Sequence, residues 1–153
     1  MTTGNVLALL PIEEKISNVL NKEDMKTVDK AFEILRNEGF VPKQEEFGIS
    51  FKYQMATVLM LDNENDENFF NMVVPYIYEV DEENELDVLR AVNKINNEMK
   101  VVKLVVNEGN VWVCFEAEIE PEAVMEELVR FAVPTVCEAR VRFYDALKNS
   151  ENA

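Results

Sequence analysis

Residues 101–120 read VVKLVVNEGNVWVCFEAEIE, and two strands facing each other across a turn are the simplest solution for such a stretch. Val101 to Val106 is apolar and β-branched, Glu108-Gly109 supplies turn chemistry, and Val111 to Ile119 alternates strictly. Val111, Val113, Phe115, Ala117 and Ile119 form one face; Trp112, Cys114, Glu116 and Glu118 form the other. Upstream, Phe47, Ile49, Phe51 and Tyr53 alternate with polar residues, Met55 to Leu61 is nearly continuous apolar, and Phe69 to Val80 is aromatic and β-branched. Pro75 marks an edge position or a bulge in that third run.

Helical spacing occupies the remainder. Met25, Val28, Ala31, Phe32 and Leu35 form a stripe over 24–38, with Gly39 placed to stop the helix. Leu86, Leu89, Val92, Ile95 and Met99 mark a helix over 84–100. Pro121 suits the first turn of a last helix with Val124, Leu128 and Phe131 on its stripe. Pro134 should kink that helix, and Val136, Ala139, Phe143 and Leu147 carry its second half. Ahead of all these, Leu9, Ile12, Ile16, Val19 and Leu20 predict an amphipathic helix over 5–21. The expected fold is α+β, an antiparallel five-stranded sheet with helices packed on it in the order α-α-β-β-β-α-β-β-α. The expected organisation is an N-terminal helical extension over 1–22, one domain over 23–148 and a frayed tail over 149–153.

The chain has 153 residues, enough for one core that buries roughly 70% of the unfolded surface without disulfides or metal. Thirty acidic residues against fifteen basic ones, with no histidine, give a formal charge of −15. That charge repels phosphate, so nucleic acid and anionic membranes are not expected partners. Cys114 and Cys137 lack metal or redox spacing and read as buried thiols in a reducing compartment. Val6 to Leu10 has neither the basic flank nor the cleavage site of a signal peptide, and no run reaches the length of a membrane span. A cytoplasmic location is therefore expected.

The catalytic constellations are incomplete. Asp62-Asn63-Glu64-Asn65-Asp66-Glu67-Asn68 opens like a calcium loop, but Glu67 stands where glycine is needed and Val73 where the bidentate glutamate belongs. Asp81 to Glu85 precedes a helix, where negative charge is favourable without any ligand. The four glycines form no phosphate cradle, and without histidine Cys114 lacks the usual base. No catalytic residue, metal or cofactor is expected. The candidate partner-binding residues are Trp112, Glu116 and Glu118; the alternative for Trp112 is a second buried layer under the N-terminal helix.

From Leu86 onward the chain resembles the YbjN-like family, proposed bacterial sensory-transduction regulators with a type III secretion chaperone-like fold. Leu89, Val92-Asn93, Ile95-Asn96 and Lys103, with the apolar hairpin after them, carry the resemblance. It implies a domain that binds a protein partner, is often a homodimer, and brings no catalytic residues. The function expected is a non-enzymatic interaction module, chaperone-like or regulatory; the alternative is a small-molecule or metal-responsive regulator using the acidic turns.

Overall fold

The computed structural model describes residue 11 and residues 25–120 and 123–151. Helix α1 (Thr27–Asn37) leads into strands β1 (Lys43–Glu45), β2 (Gly48–Tyr53), β3 (Ala56–Leu61) and β4 (Phe69–Glu79). Helix α2 (Glu85–Glu98), strands β5 (Val102–Asn107) and β6 (Asn110–Glu118), and helix α3 (Met125–Glu151) follow. One antiparallel sheet runs in the order β1-β2-β3-β4-β6-β5. The first four strands form a meander, and α2 then crosses to the far edge so that the β5–β6 hairpin closes back against β4.

The sheet has six strands where the sequence predicts five. The addition, β1, consists of three exposed polar residues paired with β2 through Lys43↔Ser50 and Glu45↔Gly48. Such a strand has no apolar period to reveal it; backbone pairing alone defines it. Apart from Pro11, the predicted helix over 5–21 lies outside the described residues, as does Pro121. Helix α3 runs through Asn149 and Ser150 to Glu151, and Pro134 lies inside it.

Each helix lies on the same side of the sheet. In α1, Val28, Ala31, Ile34 and Leu35 are buried, and the helix stops in a paired motif: Gly39 N–H donates to Arg36 O and Phe40 N–H to Leu35 O. Gly39 holds φ +95°, a conformation that costs glycine nothing. The α3 stripe through Val129, Ala132, Val133, Val136, Ala139 and Phe143 is the middle of the helix layer, with α1 and α2 on either side. Facing it are Ile49, Phe51, Val58, Met60, Phe70, Met72, Val74, Leu104, Val111, Val113 and Phe115, which together make one core.

The buried stripe of α2 differs from the predicted one. Val88, Ala91, Val92 and Ile95 face the core, whereas Leu86 and Leu89 are 60% and 45% exposed. Spacings of three and four fit two overlapping stripes here, and Asn96 decides between them. Its amide donates to Leu104 O (3.1 Å) and its carbonyl accepts from Leu104 N–H (2.7 Å). Strand β5 is a sheet edge, so Asn96 occupies the hydrogen-bonding place a further strand would take. Asn96→Ala leaves both backbone groups of Leu104 without that partner. It should cost about 1–3 kcal/mol in a denaturant melt, whereas the neighbouring Asn93→Ala should cost much less.

Candidate functional site

The face of the sheet opposite the helices carries Trp112, Cys114, Glu116 and Glu118 on β6, as period-two alternation requires. The register extends it: Val73 pairs with Cys114 and Leu59 with Val73, while Lys103 and Val105 stand across from Cys114 and Trp112. The centre of this face is therefore apolar, formed by Leu59, Val73, Cys114, Trp112 and Val105. Among the described residues no helix packs on it.

Tyr76 completes the patch. Between Val74 and Tyr78 the β4 register slips, four steps on β4 standing against two on β6. Pro75 lies in that slip, so the proline marks a bulge on a central strand rather than an edge. Tyr76 adopts φ +53°, an uncommon backbone conformation for a side-chain-bearing residue, and projects its ring edge-on against Trp112 with centroids 5.1 Å apart. The Tyr76 residue is 68% exposed; Trp112 beneath it is half-buried. Pro75 announces the bulge in the sequence, but which ring the bulge aims at Trp112 depends on the size of the slip.

The structure does not gather the three candidate residues into one cluster. The Glu116 carboxylate receives the Lys103 ammonium at 2.9 Å, a partly exposed pair flanking Cys114. Glu118 lies six residues from Trp112 on the strand, about 20 Å away by strand rise. It stands beside the acidic turn instead, where a hydrogen bond with Asp66 is the main reason its carboxyl titrates above the ordinary range, with desolvation and charge repulsion adding to it. Trp112 thus has aromatic and apolar neighbours rather than a ring of carboxylates. The indole Nε1 of Trp112 and Oδ1 of Asn71, which stands opposite Glu116, are both buried without a hydrogen-bond partner among the described residues.

A raised folded-state pKa has a definite consequence for Glu118. The stability contributed by the shared proton is fully present below the unfolded carboxyl value, about 4.3, and is lost as pH rises through the folded value. Glu118→Gln removes this dependence, so its melting midpoint should rise relative to the parent as pH increases over that window. Melts from acidic to neutral pH check the sign.

The remaining polar clusters are engaged in structure. In the acidic turn, Asp62 pairs with the Lys26 ammonium at 3.3 Å, and Asp66 accepts from Asn68 N–H at 3.3 Å. Among the described residues no group of three or more Asp, Glu or Cys side chains is gathered to hold a metal ion. Before α2, Asp81 accepts from the N–H groups of Glu83 and Asn84, while Asn84 accepts from Asp81 N–H, a reciprocal cap. Burial pushes the Cys114 thiol up, with the Glu116 charge adding and the Lys103 charge opposing. Burial likewise raises Cys137 to about 11. Both are held as thiols at neutral pH, the less nucleophilic form.

No family model matches the chain, and no sequence among the curated proteins matches it. Solved structures do. YbjN from E. coli, described there as a proposed transcription regulator, superposes with a TM-score of 0.61 at 14% identity, covering 80% of this chain and 93% of that one. An uncharacterized protein from Methanothermobacter thermautotrophicus gives 0.58 at 10% identity, covering 81% and 98%. The chain has a YbjN-like fold. No helix among the described residues is long and apolar enough to cross a membrane.

Proposed function

We propose that this YbjN-like chain is a non-enzymatic protein-interaction module of regulatory type, and that it docks an apolar segment of a partner protein on the sheet face around Trp112. The observation that carries this reading is the Trp112–Tyr76 pair. A tryptophan held half-buried by an exposed tyrosine, at the centre of an apolar strip on the side of the sheet away from the helices, has the composition and arrangement of an interface anchor. Lys103 and Glu116 give the strip a polar rim that fixes orientation more than affinity.

A regulatory role agrees with how YbjN is described. The charge of −15 favours action through another protein rather than through the phosphates of a duplex. The type III secretion chaperones, to which the sequence resemblance points, supply the analogy of an α+β domain that presents apolar surface to an extended segment. Affinity capture from the native cell, with the parent chain and Trp112→Ala side by side, tests the reading. A partner retained by the parent and lost by the variant supports it, and equal recovery by both opposes it.

Self-association is proposed for the opposite side of the molecule. Leu86 and Leu89 on α2, and Phe131 and Val141 on α3, are large apolar side chains left exposed on the helix layer. Light scattering on a sizing column should give the mass of a homodimer at micromolar concentration. A monomer mass throughout that range contradicts the dimer without touching the sheet face.

A further inference from the structure

The two edges of the sheet differ in how they are protected. Strand β1 is three exposed polar residues, Lys43, Gln44 and Glu45, too short and too polar to hold another strand well. Strand β5 is twice as long and reads VKLVVN. Its one charged side chain, Lys103, is already paired with Glu116 at 2.9 Å, and Val106 is 38% exposed. By composition β5 is the kind of edge on which a further extended chain adds.

Both main-chain groups of Leu104 are turned away from β6, because Asn96 holds them both: the Leu104 N–H donates to Oδ1 at 2.7 Å and the Leu104 carbonyl accepts from Nδ2 at 3.1 Å. Main-chain direction alternates along a strand, so the groups of Val102 and Val106 also face outward, while those of Lys103 and Val105 close the ladder with Cys114 and Trp112. A side-chain amide carries a donor and an acceptor, as a peptide group does. Asn96 therefore stands in for one residue of a seventh strand, at the middle of the outward-facing set. Ile95, almost wholly buried at the preceding position of α2, fixes it there.

The strand that Asn96 keeps out can be identified from β5 itself. Turned about a two-fold axis at Leu104, β5 is complementary to its own copy: Val102 faces Val106, Lys103 faces Val105, and no like charges stand opposite each other. Two chains of charge −15 repel over most of their surfaces, but β5 carries no carboxylate, so the edge is where that repulsion protects least. We propose that Asn96 is a plug that closes the β5 edge to a second copy of this chain, and that without it two β5 strands pair antiparallel into one continuous sheet. The plug acts at the edge and not through the Trp112 face, so it stands or falls apart from the docking surface.

Light scattering on a sizing column, with the full chain over the micromolar range and the parent's own mass as reference, tests the plug. Asn96→Ala should raise the mass about twofold or more, increasingly with concentration. Val106→Pro removes an outward N–H without touching the β5–β6 ladder, so adding it to Asn96→Ala should restore the parent's mass. Ile95→Val loosens the same turn of α2 and keeps the plug, and it should run as the parent does. If Asn96→Ala is too unstable to handle, Asn96→Ser, whose single hydroxyl cannot reach both Leu104 groups, carries the same comparison. An unplugged variant with the parent's mass at every concentration overturns the proposal. So does association that Val106→Pro leaves in place, which would put the contact elsewhere, or association that Ile95→Val shows equally, which would make it a consequence of lost stability.

Discussion

Trp112→Ala is expected to weaken partner binding at least tenfold while the fold survives. Truncating an aromatic anchor at the centre of an interface commonly costs about 2 kcal/mol or more of binding. The stability cost should be far smaller, because Trp112 lies outside the core under the helices and its buried Nε1 makes no hydrogen bond to a described residue. A loss of about 1 kcal/mol or less corresponds to roughly 2–4 °C for a chain of this size. Binding by titration and melting by circular dichroism, on the same preparation, separate the two. Collapse of the fold, with binding lost only in consequence, would make the indole a structural residue.

Phe143→Ala is the counterpart on the helix side, with the largest expected loss of stability. Phe143 is fully buried on α3, its ring between Tyr78 at 5.9 Å and Tyr144 at 5.8 Å. Tyr144 also donates from its hydroxyl to Ile77 O at 2.6 Å, tying α3 to the bulged part of β4. Removing the ring from so closely packed a place should cost about 3–5 kcal/mol, roughly 10 °C or more in midpoint. A variant that melts like the parent contradicts the placement of α3 on the sheet.

The contrast shows which parts of the structure can be read from residues alone. The β5–β6 hairpin, the two faces of β6 and the Gly39 helix stop follow from local chemistry: alternation, a turn pair, and a residue that tolerates positive φ. The short β1 does not, because three exposed polar residues owe their conformation to β2. The inner face of α2 does not either. Two stripes were compatible with its spacing, and the tertiary bonds from Asn96 to Leu104 fix which one turns inward. At the candidate site, alternation places Trp112 on the outer face, but its neighbours come from register. Tyr76 reaches it through a slip beside Pro75, Val105 through the edge pairing, and Glu118 is carried off to Asp66 at the other end of the strand.

The central claim is that the Trp112 face receives a partner segment. Because the chain has one tryptophan, the most direct measurement is the emission of Trp112 while the captured partner is titrated in, with the partner's own emission subtracted. A saturable change in wavelength or intensity, following the same curve as complex formation, is the predicted result. Full complex formation with Trp112 emission unaltered from start to saturation would place the partner elsewhere on the molecule and contradict the account.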